Sequence, residues 1–192
     1  MGRSFANLHI KSNNLEKTIT ALKKLTEGNA KVLGNRENDS TETSITMYIS
    51  KSNPNESWIS VLHDYFVWGT VKKIGKTLSQ LVEEPVMTVG YMNEEIFELS
   101  FFETGEIQAE KIFCEPWTRE EYEQLKEERL NDDYFPKVLD VNNEDFGQLL
   151  GINDPAQAVD KLSQLLNMSL WCDAEWIEFE DDLKERFKKY EF

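Results

Sequence analysis

Two histidines, His9 and His63, are the only imidazoles in the chain, and each falls in a stretch whose alternating apolar residues predict a β-strand. Two strand-borne rings joined by a carboxylate such as Glu98 or Glu103 would make a metal site, because neutral imidazole is the commonest protein ligand for transition metals. Alternation puts His63 on the face of Ile59 and Val61, and His9 on the face opposite Leu8 and Ile10. The rings meet only if those two faces coincide; otherwise each satisfies local hydrogen bonds. His63-Asp64 is not a catalytic dyad, since strand neighbours point to opposite faces and the carboxylate cannot orient that ring.

The other candidate chemistries fail on spacing. GTVKKIGKT, residues 69–77, has five residues between its glycines where a phosphate-cradling loop needs four, and its VKKI fits the apolar stripe of a helix. Asp140, Asn142 and Glu144 place oxygens as a calcium loop does, but position six is Asp145 rather than glycine and position twelve is Gly151 rather than glutamate. That loop can neither turn nor clamp the ion. Cys114 and Cys172 have no base near them in sequence and read as packing thiols. Paired acids such as Glu94-Glu95 and Asp181-Asp182 read as solvent-facing charge. No catalytic, cofactor or metal residue is therefore assigned, and the balance leans away from an enzyme.

The chain has 36 acids against 21 bases, a formal charge of −15. Residues 116–192 carry −11 of it, with 20 acids and 9 bases. Such a field repels nucleic acid and anionic lipid, and it suits either a solubilising surface or a face that meets a basic protein partner. Five tryptophans, Trp58, Trp68, Trp117, Trp171 and Trp176, exceed what a core this size needs and form the candidate interaction surface, for a partner or for a second copy. A monomer or a homodimer is expected. Two widely spaced cysteines, no leader and no long apolar run point to a cytoplasmic protein with no membrane association.

The elements that would position these residues centre on residues 85–115. Phe97, Leu99 and Phe101 alternate with Glu98 and Ser100, and polar turns at Asn93-Glu94 and Thr104-Gly105 flank this run, predicting a three-stranded meander with one buried apolar face. Before it, a strand at 5–11 leads to a helix capped by Asn13 with Glu16 at its third position, then a loop at 26–43, strands at 44–50 and 58–64, and a helix carrying Val71, Ile74, Leu78, Leu81 and Val82. After Pro116, Thr118 and Glu121 predict a capped acidic helix through Tyr122, Leu125 and Arg129, and residues 131–143 read as irregular. Asp154-Pro155 starts a further helix, and the aromatic tail is helical from Glu180.

The order β-α-β-β-α-β-β-β predicts an α+β fold with a ferredoxin-like antiparallel sheet over residues 1–115 and an acidic helical part, 116–192, packing on it. LHIKSNNLEKTI resembles the opening of the vicinal-oxygen-chelate superfamily, which assembles metal sites from strand-borne ligands. SWISVLHD, KKIGKTLSQLV, FELSFFETGE and GQLLGINDPAQAVDKLSQLL resemble a group of uncharacterised acidic bacterial cytoplasmic proteins of two-part architecture, without a known activity. The functional expectation is a non-enzymatic, immunity-like binding module with an acidic surface. The alternative is an enzyme or small-ligand binder with a pocket between sheet and helices, metal-dependent through His9 and His63.

Overall fold

The computed structural model describes residues 2–28, 33, 45–51, 53–122 and 124–192. The protein is α+β, a seven-stranded antiparallel sheet clad on both faces by helices. Its strands are β1 (Phe5–Ile10), β2 (Thr46–Ser50), β3 (Ile59–Leu62), β4 (Val86–Met92), β5 (Ile96–Glu103), β6 (Glu106–Phe113) and β7 (Phe187–Glu191), in the order β6-β5-β4-β1-β3-β2-β7. The expected meander is β4-β5-β6. Its turns place Asn93 and Glu94 at φ 52° and 62°, and Thr104 and Gly105 at 52° and 81°, the positive values that tight hairpin turns demand.

Helices α1 (Leu15–Gly28) and α2 (Val71–Leu78) cover one face of the sheet. Ala21, Leu22, Leu25, Val71, Ile74 and Leu78 pack there on Ala6, Leu8 and Ile10 of β1 and Met47 and Ile49 of β2. The α1 start is held by Asn14, whose side chain accepts from the Lys17 N–H at 3.1 Å, one residue beyond the expected cap at Asn13. Gly75 explains a glycine in GTVKKIGKT without a phosphate. It lies where α2 presses on β4, and a Cβ there would collide with Thr88. Apart from Thr26–Gly28, which end α1, and Leu33, the loop expected at 26–43 lies outside the described residues.

The other face carries α4 (Tyr134–Leu139), α5 (Asn143–Leu150) and α6 (Pro155–Leu166). Phe135, Phe146, Leu149, Val159 and Leu162 pack there on Met87, Val89, Phe97, Leu99 and Phe101. The Asp154 cap of α6 is present, its carboxylate accepting from the Gln157 N–H at 2.9 Å with Pro155 following. Because both faces are covered, the polar positions of β5 are buried as well: Glu98 is 7% exposed and Ser100 fully enclosed.

The C-terminal part departs from expectation in three places. The helix after Pro116, α3 (Pro116–Glu121), stops before Tyr122, and Glu115 rather than Thr118 stands at its cap. The segment beyond it lies against the outer edge of β6. There the Glu110 N–H donates to the Arg129 carbonyl at 2.9 Å, the Ile112 N–H to Glu127 at 3.2 Å, and Arg119 donates to the Ile112 carbonyl and to Glu127. Those partners satisfy an edge that would otherwise be open. Residues 131–143 contain α4, because Pro136 falls in its first turn, where no N–H is required. The tail is helical only over α7 (Asp181–Arg186); residues 187–191 become β7, since the open edge of β2 offers them a ladder, with Thr46 opposite Glu191 and Ser50 opposite Phe187.

Candidate functional site

β1 begins, and β3 and β4 end, at the same edge of the sheet, because β1 runs antiparallel to both. A cleft of about 300 Å³ opens there, walled by Phe5, Phe66, Trp68 and Tyr91 and edged by Asp64, Asp173 and Glu175. Phe5 stacks on Tyr91 at 4.9 Å between ring centroids, and Trp171 meets both rings at 5.1 and 5.3 Å. These contacts fix the Tyr91 ring in the core. Trp68 reaches the cleft on the loop before α2, where its ring lies against Gly90 so closely that a Cβ would come within 3.0 Å.

Two buried side-chain polar atoms among the described residues have no hydrogen-bond partner, Trp68 Nε1 and Tyr91 Oη, and both residues line this cleft. A buried donor left unsatisfied costs about 1–3 kcal/mol. Burial, with Glu94 adding to it, pushes the Tyr91 phenol up to about 12, so it stays protonated and able to donate. Asp173 is already engaged: its carboxylate accepts from the Ala6 N–H at 3.2 Å and the Glu175 N–H at 3.0 Å, tying the 3-10 turn Ala174–Trp176 to β1. Burial nevertheless raises it to about 6, partly offset by those two N–H groups. Asp64 and Glu175 are exposed and free to face an incoming group.

The two histidines are not brought together. His9, fully buried, faces the C-terminal layer through Ser60, its partner across β3; His63 lies beyond β3 and packs edge-on to Phe66, which belongs to the core under α1 and α2. The His9 ring is spoken for on both sides. With Nε2–H donating to Asn7 Oδ1 at 2.5 Å, Nδ1 accepts from Ser60 Oγ at 2.7 Å. Burial drops its pKa to about 3, with Arg186 adding to the effect, so the ring is neutral. Asn7 in turn donates to the Leu170 and Cys172 carbonyls, and Arg186 donates to Asn53 Oδ1, Ser60 Oγ and the Ser169 carbonyl. This network pins residues 169–186 to the sheet. His63 Nδ1 donates to the Thr46 carbonyl at 2.7 Å. No group of three or more His, Cys, Asp or Glu able to hold a metal ion occurs among the described residues.

The five tryptophans separate. Trp58 is 2% exposed in the core, so it presents no surface, and Phe97 on β5 is equally enclosed. Trp68 lines the cleft. Trp171 and Trp176 are half-buried and meet around Phe5, with the Arg3 guanidinium over both rings, 4.2 Å from that of Trp176. Trp117 on α3 is 63% exposed. Cys114 and Cys172 are free and buried, and burial raises the Cys172 thiol to about 12, which leaves it unreactive. Sequence reasoning missed Phe5, Tyr91 and Asp173, whose positions depend on pairing β1 with both β3 and β4.

Compared with protein-family models, with curated proteins and with solved structures, the chain finds no match. No helix among the described residues is long and apolar enough to cross a membrane.

Proposed function

We propose that this chain is a binding protein that captures a basic segment of a protein partner, seating one arginine or lysine and its backbone carbonyl in the cleft at the ends of β3 and β4. The observation that carries the reading is the pair of unpartnered donors, Trp68 Nε1–H and Tyr91 Oη–H, on one cleft. A bound segment supplies the acceptors they lack, one on each face of β4, and the aromatic walls enclose the aliphatic stem. The rim supplies the charge: Asp64 and Glu175 stand at the edge, and the whole chain is −15. Tyr65 and Val67 are exposed beside the cleft, and Phe179, 83% exposed, projects between Glu178 and Glu180 as a further apolar anchor. Arg3 already lies on Trp176 and pairs with Glu180 at 3.5 Å, so this mixture of indole and carboxylate holds a guanidinium within the protein itself.

An acidic neutraliser, as an immunity protein is to its toxin, would work this way. The order β4-β1-β3-β2 with α1 and α2 on one face supports a ferredoxin-like core extended by β5, β6 and β7. Free, buried cysteines suit a reducing cytoplasm.

The test is a titration of 15N-labelled protein with acetyl-Gly-Arg-Gly-amide at low ionic strength, following the indole N–H signals. The Trp68 signal, assigned by its loss in Trp68→Phe, is expected to move downfield and saturate. Binding should weaken in high salt and in the Asp64→Asn, Glu175→Gln double variant. The citrulline peptide should bind much less well. A Trp68 signal unmoved by the arginine peptide, or equal binding of citrulline, would overturn the proposal.

A further inference from the structure

The far side of Trp68 borders a second, larger cleft of about 690 Å³, between α2, β5, β6 and residues 121–122 and 124–128. Its floor is a charge cluster built on the buried Glu110. Lys72, on the first turn of α2, reaches the sheet and forms an ion pair with Glu110 and another with Glu128 at 2.9 Å. Glu110, fully enclosed, is otherwise satisfied: Ser100 Oγ donates to it at 2.8 Å and the Glu128 N–H at 3.0 Å. Glu98 is different. It is 7% exposed as a residue, its carboxylate oxygens open on the cleft, and among the described residues they make no hydrogen bond or ion pair.

We propose that this cleft binds a small alkylammonium ligand, with Glu98 as the anionic seat, the Trp68 indole beside the charged head and Ile112 and Leu125 along the aliphatic stem. Sign and shape both favour that class. With Lys72 paired to Glu110 and Glu128, Glu98 and Glu121 outnumber the one remaining base, Lys126, around the cleft, so an anion is repelled. A bare metal ion is disfavoured, because one carboxylate amid indole and aliphatic walls cannot replace its hydration shell. A single unpartnered carboxylate suits a compact ammonium better than a guanidinium, whose fork asks for paired acceptors.

Glu98 also makes the binding pH-dependent. Burial raises it to about 7, opposed by Lys72 and reinforced by Glu110, Glu128 and Glu127. The cation selects the ionised form, so affinity rises as pH climbs through 7 while the amine itself stays charged. Between pH 6 and pH 8 the gain is about tenfold.

The experiment is calorimetric titration of the whole chain with 1,4-diaminobutane at pH 6 and pH 8, in two buffers of different ionisation enthalpy. Expected are saturable binding, about tenfold tighter at pH 8, and proton release at pH 6. Glu98→Gln should bind at least about tenfold more weakly and lose the pH dependence, while keeping the wild-type circular dichroism. Lys126→Ala, which removes a repelling charge at the mouth, should bind slightly more tightly and guards against misreading a folding defect in Glu98→Gln. Wild-type affinity in Glu98→Gln, flat affinity across pH, or no saturation by the diamine would each overturn the assignment. Tighter binding of N-acetyl-lysine methylamide than of the diamine would also overturn it, by making the seat one for a protein lysine.

Discussion

Replacing Tyr91 by phenylalanine removes one oxygen and leaves the ring where Phe5 and Trp171 hold it, stacked on one at 4.9 Å and edge-on to the other at 5.3 Å. In the free protein that oxygen is buried without a partner, on a side chain with no exposed surface. Its desolvation costs about 1–3 kcal/mol, against which stands a small void of one atom. Tyr91→Phe is therefore expected to be more stable than the wild type by about 1 kcal/mol, which for a chain of this size raises Tm by about 2–4 °C. Urea unfolding followed by circular dichroism measures the first quantity and a thermal scan the second. The same variant should bind the arginine peptide more weakly by about fivefold or more, because the bound segment loses one of the two donors lining the cleft. Opposite signs for stability and binding are the signature of a donor kept unsatisfied for a ligand. A loss of about 1 kcal/mol or more in the free protein would mean that the hydroxyl already has its partner, and the reasoning that makes the cleft a binding site would collapse.

His9 and Arg186 yield two more tests. The folded pKa of His9, about 3, lies below the ordinary 6.5, so its contribution is present above pH 6.5 and is lost as pH falls toward 3, at about 1.4 kcal/mol per pH unit. Asp173 and Glu98, raised to about 6 and about 7, have the opposite sign: their contributions are present at low pH and are lost as pH rises through those values. The three partly cancel between pH 5 and 6. His9→Gln should unmask a stability that climbs on acidification, differing in slope from the wild type by about 1.4 kcal/mol per pH unit in urea unfolding; parallel curves would show that the ring is charged or exposed. Arg186→Ala should destabilise by about 3 kcal/mol, because Asn53 Oδ1, the Ser169 carbonyl and Ser60 Oγ all lose a charged donor. A loss below about 0.5 kcal/mol in the same assay would show that the residue sits in solvent.

The meander and α2 were legible because their signals are local. Alternation in β5, positive-φ residues in both hairpin turns, and Val71, Ile74 and Leu78 on one face of α2 depend on neighbours within a few residues. Elements decided by distant partners were misread. Phe187 and Tyr190 stand at a helical spacing, and only the vacant edge of β2, far away in sequence, makes them a strand. Glu98 and Ser100 fall at the polar positions of that alternation, and their burial follows from helices on both sides of the sheet, which the pattern within β5 does not encode. The candidate cleft was half legible. Trp68 announced itself as an excess aromatic, but the vacancy at Tyr91 Oη is a property of how Phe5 and Trp171 close over the ring, and no periodicity encodes that.

β7 bears on how the chain survives its own synthesis. β2 is made early, and its outer neighbour comes from residues 187–191, after every other strand and helix has been translated. If the earlier strands pair before then, the outer edge of β2 is left as a bare row of N–H and C=O groups that another nascent copy could pair with. Crowded polysomes are then where such a chain would aggregate, and a nascent-chain chaperone that shields the edge of β2 until residues 187–191 emerge would raise the yield of folded protein without changing the stability of the finished molecule.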